Sequence, residues 1–149
     1  MLNIVLVEPE IPNNTGNIGR LCVGTESRLH LIHPLGFKIT DTNVKRAGLD
    51  YWVHLDLHEY QNLDEWLVTV ADPSRIFLFS SKSAKSYLQN EFRDGDWLVF
   101  GKESVGLSTD ILSKFPNHLT IPISPLVRSF NLANSVAFAL GEAKRQIFL

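Results

Sequence analysis

The alternation of short apolar runs with helical segments is the feature that most constrains how this chain can fold. The apolar runs are rich in β-branched residues and nearly continuous, which is typical of strands buried on both faces of a parallel sheet. The sequence therefore predicts an α/β fold with a largely parallel sheet and helices on both faces. The predicted strands cover residues 3–7, 29–33, 75–80, 97–100 and 119–123. The predicted helices cover residues 15–25, 41–47, 63–71, 109–115 and 132–147.

Residues that favour helix N-caps stand where the predicted helices begin. A side-chain oxygen at that position accepts a hydrogen bond from one of the unpaired backbone N–H groups of the first turn. The candidate caps are Asn14, Asp41, Asn62, Ser108 and Asn131.

The last predicted helix is apolar on more than one stripe, because Phe138 and Ala139 widen its main apolar face. Such a helix is either central to the core or part of a subunit interface, and the pattern alone favours the core. The residues of the main face are Leu132, Val136, Leu140 and Ala143.

Length and composition are those of one compact domain covering residues 1–149, with 44% hydrophobic and 20% charged residues. The formal net charge of −2 argues against a surface that is cationic throughout, so any RNA contact must come from local clusters or from an assembled dimer. The single cysteine, Cys22, cannot form an intrachain disulfide, and no basic leader precedes the first strand. We expect a cytosolic protein without a membrane span.

Three polar or glycine-rich connections follow predicted strands, at residues 8–20, 101–108 and 124–131. The familiar phosphate-binding fingerprints are absent from the sequence, which argues against an ordinary dinucleotide site. In an open α/β sheet, ligands bind beyond the carboxyl ends of the strands. The sequence therefore predicts a ligand site built from these three connections.

Each connection also has a purely structural interpretation. Gly101 and Gly106 are compatible with a tight turn that needs glycine for conformation alone. Asn131 is a favoured N-cap, Ser129 can bond the local backbone, and Arg20 can be a solvated or salt-bridged surface residue. The residues by themselves leave both interpretations open.

Histidine spacing gives little support for a metal site. His30 and His33 lie three apart in a predicted strand and so point to opposite faces. His54, Asp56 and His58 share a face if residues 53–57 are extended, and a solvated strand face is the favoured interpretation. Cys22 has apolar neighbours in a predicted helix and is interpreted as a packing residue.

Three stretches of the chain together resemble the signature motifs of the SPOUT class of knotted RNA methyltransferases. They are Asn13-Asn-Thr-Gly-Asn-Ile-Gly-Arg20, Phe100-Gly-Lys-Glu-Ser-Val-Gly-Leu107 and the stretch 121–137, which contains Ser129-Phe-Asn-Leu-Ala133. The chain is most similar to the small tRNA wobble-position 2'-O-methyltransferases. Asn14 and Arg20 match the spacing of the asparagine and arginine of the 2'-O-methylating branch, and Phe130 replaces the usual leucine.

The resemblance implies a fold with a C-terminal deep trefoil knot and a homodimer in which the last helix lies at the interface. It also implies S-adenosyl-L-methionine as the methyl donor, with no metal. The implied substrate is the wobble ribose 2'-hydroxyl in the anticodon loop of leucine tRNAs, on cytidine or 5-carboxymethylaminomethyluridine. A different RNA position and a non-catalytic RNA-binding factor are the alternatives.

Site residues carried over from the resemblance fall into two groups. Arg20 is a poor base because the arginine pKa is above about 12, so we interpret it as a phosphate clamp and oxyanion stabiliser. Glu103 or solvent receives the proton in this hypothesis, and Ser129 and Asn131 orient the groups. The candidate catalytic residues are Arg20, Asn14, Glu103, Ser129 and Asn131; the candidate cofactor contacts are Phe79, Gly101, Ile121 and Ser129.

A further segment, residues 45–52, places two cations beside a tyrosine and a tryptophan. Such a group suits phosphate contact and base stacking, although a helix end with core-packed aromatics explains it equally well. The resemblance places this segment near the tRNA, which adds Lys45 and Arg46 to Arg20 as candidate RNA contacts. Lys82 and Lys85 form a second, weaker patch.

Overall fold

Six parallel strands form one sheet in this computed structural model, in the order β3-β2-β1-β5-β4-β6. The structure describes residues 1–40, 42–47 and 50–148, except for the side chains of Lys45 and Ala47. The strands are β1 Asn3–Val7, β2 Arg28–Ile32, β3 Leu57–Tyr60, β4 Ile76–Phe79, β5 Trp97–Phe100 and β6 His118–Leu119. The helices are α1 Pro12–Gly24, α2 Thr42–Ala47, α3 Leu63–Leu67, α4 Thr109–Lys114 and α5 Leu132–Phe148. Short 3-10 helices cover Trp52–His54, Pro73–Arg75 and Tyr87–Gln89.

The predicted α/β class is confirmed, since every strand pairing in the described sheet is parallel. Strands β1 and β5 have their predicted bounds, and β2 and β4 differ from prediction by one residue at each end. The predicted strand 119–123 is much shorter, and beyond Leu119 only Thr120 continues the pairing, through a bridge to Ser86. Pro122 has no N–H to extend the ladder.

One strand lies outside the predicted set. The edge strand β3 carries exposed His58 and Glu59 at its centre, so it lacks the apolar signal that identifies the other strands. The predicted helix 63–71 ends at Leu67, where the N–H and hydroxyl of Thr69 both donate to the carbonyl of Trp66, at 2.9 and 2.7 Å.

The two faces of the sheet have separate cores. Helices α1 and α5 cover one face, where Ile18, Cys22, Val136 and Leu140 are at most 1% exposed. Helices α3 and α4 and the segments around them cover the other face, where Trp66 is fully buried. Burial raises the pKa of the Cys22 thiol to about 12, which agrees with its interpretation as a packing residue.

Helix α5 is buried along one side, which confirms its core role, and exposed along another, while a subunit interface stays a prediction. Val136, Ala139, Leu140 and Ala143 are buried, whereas Phe138 is 44% exposed. Near the end of the helix, Gln146 accepts a hydrogen bond from the Phe92 N–H at 2.8 Å and donates to the Asn90 carbonyl at 2.9 Å. These bonds attach α5 to the segment between β4 and β5, while the threading of a knot stays a prediction of the resemblance.

Three of the predicted N-caps are confirmed. Asn62, Ser108 and Asn131 each accept a hydrogen bond from a backbone N–H in the first turn of α3, α4 and α5, respectively. The prediction for Asn14 is wrong, because α1 begins at Pro12, whose fixed φ suits the first helical position. Asp41 lies outside the described residues.

Two of the histidines each contact a single carboxylate. His33 Nε2 lies 2.9 Å from Glu59, and His58 Nε2 lies 2.7 Å from Asp56. His54 belongs to a 3-10 helix, so the supposed extended run 53–57 is wrong. Across the described ranges, no three histidine, cysteine or acidic residues are grouped as a metal would require.

His30 gives the fold a specific pH dependence. It is 3% exposed, with Nδ1 2.9 Å from the Tyr60 hydroxyl, Nε2 3.0 Å from Asn3 Oδ1, and His58 stacked on it at 5.0 Å. Burial, helped by His58 and Arg28 and opposed by Asp56, lowers the pKa of His30 to about 3. In the unfolded chain its pKa is about 6.5.

Below about pH 6.5 the unfolded chain therefore binds a proton at His30 that the folded protein excludes. The free energy of unfolding decreases as the pH is lowered from about 6.5 to about 3. We expect His30 to account for about 2 kcal/mol of this loss between pH 7 and pH 5. Urea unfolding across that range checks this, with His30→Gln as the comparison because it cannot be protonated. Parallel stability curves for the two proteins would contradict the assignment.

Candidate active site at the carboxyl edge of the sheet

The three predicted connections leave the same edge of the sheet, because they follow the parallel strands β1, β5 and β6. Phe79 ends β4, Gly101 follows β5, and Ile121 lies two residues beyond β6. These three strands are neighbours in the sheet, and the rings of Phe79 and Phe100 stack at 4.7 Å. The structure thus brings the candidate cofactor contacts Phe79, Gly101 and Ile121 to one edge.

The connection after β5 folds tightly on itself. The Gly106 N–H donates to the Lys102 carbonyl at 2.8 Å, and Gly106 has a φ of +70°. A Cβ on Gly101 would overlap the peptide joining Gly106 to Leu107. Both glycines are therefore needed for the turn itself, and a ligand contact at Gly101 stays a prediction.

Asn14 and Asn131 connect the first helix to the start of the last. Asn131 Nδ2 donates to Asn14 Oδ1 at 3.0 Å, while Asn131 Oδ1 accepts the Ala133 N–H at 2.8 Å. Asn14 is 6% exposed in the first turn of α1. The capping interpretation of Asn131 is thus correct, and the same side chain also makes a long-range contact that capping alone does not require.

Ser129 lies two residues before Asn131, on the exposed loop that leads into α5. No contact within the described part of the chain uses its hydroxyl. Its side chain is therefore accessible to a ligand at this edge.

Glu103 binds the backbone just before α1. Its Oε2 accepts the Glu10 N–H at 2.7 Å, and its Oε1 accepts the Ile11 N–H at 3.1 Å. Glu103 does not line the groove that contains Arg20. Both carboxylate oxygens are therefore already used by the fold.

Arg20 lies in a groove of about 810 Å³ between α1 and α5. Its guanidinium carbon lies 4.8 Å from the centre of the Tyr51 ring, and it forms no hydrogen bond or ion pair with any described residue. A cation on an aromatic face without a carboxylate partner is available to bind an anion. The groove is lined by Asn14, Asn17, Arg20, Leu21, Gly24, Thr25, Tyr51, Asn131, Ala133, Asn134 and Ala137.

Some residues of this groove are not singled out by the sequence motifs. Asn134 and Ala137 follow Asn131 at intervals of three, so helical spacing would place them on the same side of α5. Tyr51 is suggested by sequence only as a base-stacking residue, and its position beneath Arg20 depends on a contact 31 residues away in sequence, which local pattern does not reveal.

The segment 45–52 is only partly described. Arg46 is exposed on α2, and the side chain of Lys45 lies outside the described residues. The Trp52 ring packs against Gly19 of α1, with a ring carbon 3.1 Å from where a Cβ would stand. Packing of a partly buried ring against α1 therefore accounts for Trp52, and RNA contact by Lys45 and Arg46 stays a prediction.

The weaker cationic patch is also partly engaged. Lys82 is exposed, while Lys85 Nζ donates to Asn90 Oδ1 at 3.4 Å.

None of the helices in the described ranges is both long and apolar enough to cross a bilayer.

The parallel sheet, with its polar connections gathered at one carboxyl edge, and the three motifs agree with the SPOUT class of methyltransferases. Residues 1–141 match the SpoU rRNA Methylase family. The chain belongs to this family, which confirms the resemblance seen in the motifs.

Curated relatives match over nearly their whole length. A tRNA (cytidine(34)-2'-O)-methyltransferase of Aeromonas hydrophila is 48% identical over 99% of this chain and 95% of its own. Enzymes of the same name from Burkholderia ambifaria and Escherichia coli are 45% and 43% identical, with coverage of 98% and 99% of this chain and 96% and 94% of theirs.

The fold of this chain is similar to those of solved structures. A structure concerned with 2-OH methylation of C/U34 on tRNA is 45% identical, with a TM-score of 0.94 over 98% of this chain and 95% of that chain. The SpoU methyltransferase AviRb of Streptomyces viridochromogenes in complex with AdoMet has a TM-score of 0.89 over 98% of this chain and 57% of that chain. At 21% identity, this second likeness supports the fold alone.

Proposed function

We propose that this protein transfers a methyl group from S-adenosyl-L-methionine to the 2'-hydroxyl of the wobble ribose, nucleotide 34, of tRNA. The observation that carries the proposal is the identity of 43–48% over nearly the full length to enzymes named for this reaction. The groove around Arg20, which forms no ion pair with any described residue, supplies a cation where an RNA phosphate and a reacting ribose need one. Leucine tRNAs, with cytidine or 5-carboxymethylaminomethyluridine at this position, are the proposed substrates, and the cytosol is the proposed compartment.

The carboxyl edge of the sheet fits the proposed methyl donor. When bound, S-adenosyl-L-methionine supplies an activated methyl on a cationic sulfonium, and no metal is needed. Phe79, Gly101 and Ile121 line the edge, and the exposed Ser129 hydroxyl faces no competing partner among the described residues. These four residues are the proposed cofactor contacts.

The substrate is positioned by the groove beside this edge. Arg20 clamps an RNA phosphate and stabilises the negative charge that develops on the ribose oxygen. Asn14 and Asn131, joined at 3.0 Å, set the relative positions of α1 and α5, and Ser129 and Asn131 orient the reacting groups. The proton of the 2'-hydroxyl passes to solvent, because Glu103 does not line the Arg20 groove and its carboxylate is engaged by backbone N–H groups.

A homodimer with α5 at its interface is part of the proposal. Phe138, Gly141 and Phe148 lie on one exposed side of α5, and Phe130 adds a ring 5.2 Å from that of Phe138. Asn134 and Ala137 share this side and line the Arg20 groove, so the groove borders the proposed interface. Exposed aromatic residues around small ones suit close packing of two helices.

The assay of this proposal uses purified protein, S-adenosyl-L-methionine and total tRNA that lacks wobble ribose methylation. We expect 2'-O-methylnucleosides at position 34 of leucine tRNAs, located by mass spectrometry, and light scattering at twice the 16.8 kDa chain mass. Methylation of ribosomal RNA or of another tRNA position would contradict the substrate. RNA binding without turnover would favour a non-catalytic RNA-binding factor instead.

A further inference from the structure

Two glutamates join the connection after β1 to the connection after β5. The Glu103 carboxylate accepts the N–H groups of Glu10 and Ile11, at 2.7 and 3.1 Å. In return, the Glu10 carboxylate accepts the Ser104 N–H at 2.9 Å. Each connection therefore supplies both a carboxylate and a backbone donor to the other, across more than 90 residues of sequence.

The chain after β2 also contacts the backbone at Glu10. The Gly36 N–H donates to the Pro9 carbonyl at 2.9 Å, and a Cβ on Gly36 would stand 2.8 Å from the Glu10 Cα. Only glycine lets the chain after β2 approach so closely. The backbone at Glu10 is thus held from two sides, at the carboxyl ends of the neighbouring strands β2, β1 and β5.

The Glu103 carboxylate also binds the chain at the N-terminal end of α1, through the N–H groups of Glu10 and Ile11 rather than those of the first turn. Ile11 is the N-cap of α1 and, among the described residues, no side chain forms the usual cap hydrogen bond there. Pro12 follows and has no N–H to offer. A carboxylate at this end is favoured by the helix dipole. The position of α1 therefore depends on contacts from outside the helix.

We propose that Glu10 and Glu103 act as a reciprocal clasp that positions α1, and with it Asn14 and Arg20, for methyl transfer. The inference rests on the proposed function and deepens it. Glu103 is then a positioning residue and not the proton acceptor, and Glu10, which the motifs do not single out, is its partner. The clasp joins the connection 8–20 to the connection 101–108, as the bond between Asn14 and Asn131 joins the connection 8–20 to the connection 124–131.

The charge state of Glu10 agrees with this arrangement. Hydrogen bonds from Ser104 lower the pKa of the Glu10 carboxyl, and the charge of Lys102 acts in the same direction. The carboxylate is therefore ionised at neutral pH, as an acceptor of the Ser104 N–H should be.

The test compares Glu10→Ala, Glu103→Ala, the double alanine variant and Glu103→Gln with the unchanged protein. Each alanine variant should lower the single-turnover methylation rate by about 10- to 100-fold, the scale of a small misplacement of reacting groups. In the double variant the two rate losses should combine to less than their product, because both side chains hold the same two connections together. Glu91→Ala is the control, since Glu91 is an exposed glutamate whose only ion pair among the described residues is with Arg93.

Two further measurements separate a clasp from a base and from general destabilisation. Glu103→Gln keeps one of the two acceptor oxygens, so it should recover part of the rate lost in Glu103→Ala and leave the pH–rate profile unshifted. A pH–rate profile that loses its ionisation in Glu103→Gln would identify Glu103 as the proton acceptor and overturn the proposal. Hydrogen exchange of the segment 8–15 should accelerate in both alanine variants and stay unchanged in Glu91→Ala.

The failure of this proposal can be distinguished from the failure of the proposed function. Independent rate losses in the double variant, unchanged exchange, or full activity of Glu10→Ala would overturn the clasp while methylation by the unchanged protein stands. If the unchanged protein methylates no RNA, the proposed function fails, and the exchange measurement still decides whether the clasp holds α1.

Discussion

Replacing Arg20 with alanine is expected to lower the single-turnover rate of wobble methylation by about 100- to 1000-fold, the loss typical of removing one donor that stabilises developing charge. Arg20 lines the groove between α1 and α5 and forms no ion pair with a described residue, so its guanidinium is free to bind an anion. Cofactor binding should change little, because the proposed cofactor contacts lie at the ends of β4, β5 and β6.

Two milder substitutions separate the features of Arg20 that matter. Arg20→Lys keeps the charge but loses the planar fork, so we expect a rate between those of the unchanged protein and Arg20→Ala. Tyr51→Leu removes the ring 4.8 Å from the guanidinium and should slow the reaction only a few-fold, since such contacts are worth about 0.5–1 kcal/mol at exposed sites.

Rapid-quench measurement of transfer to tRNA, with Arg93→Ala as the matched control, checks these expectations. Arg93 is another exposed arginine, 64% accessible, and pairs with Glu91 rather than lining the Arg20 groove. Normal transfer by Arg20→Lys would rule out the bidentate clamp. A slowed Arg93→Ala would show that loss of any surface cation weakens the reaction.

The parts of the fold that are predicted correctly are those with a strong local signal. Strands β1 and β5 are apolar and central in the sheet, so their composition reports their burial directly. Strand β3 escapes prediction because it lies at the edge of the sheet and carries exposed polar residues. Asn14 resembles an N-cap because asparagine favours that position. Its actual partner, Asn131, is 117 residues away and leaves no local signal in the sequence.

For the candidate site, the sequence likewise predicts the features with a local signal and misses those that depend on distant contacts. Glycine and polar residues at strand ends indicate where the site lies, since parallel strands bring their carboxyl ends to one edge. The contacts within the site are not predictable, because pairs such as Glu103 with the Glu10 backbone depend on how distant loops meet. Chemistry alone makes Glu103 a candidate base, whereas its hydrogen bonds show both of its oxygens in use.

Gly101→Ala is expected to destabilise the fold by about 3 kcal/mol or more, which lies at the upper end of the usual range for overpacking. The new methyl group would overlap backbone atoms of Gly106 and Leu107, and backbone cannot rotate aside as a flexible side chain does. Leu107 is 4% exposed and packs in the core beneath α4, so moving this peptide disturbs buried contacts. The melting temperature should fall by about 10 °C.

The same substitution should weaken S-adenosyl-L-methionine binding by at least about tenfold, because the displaced turn lies at the proposed cofactor edge. Gly24→Ala is the matched control: apart from its chain neighbours and the backbone of its own helix, no described atom lies within 4 Å of the point where its methyl group would stand. Alanine is also the better helix former, so the stability of this variant should be equal or higher. Calorimetric titration and thermal unfolding of both variants measure the two effects. If Gly101→Ala is destabilised but binds the cofactor normally, the tight turn serves the fold alone and the cofactor contact assigned to Gly101 is wrong.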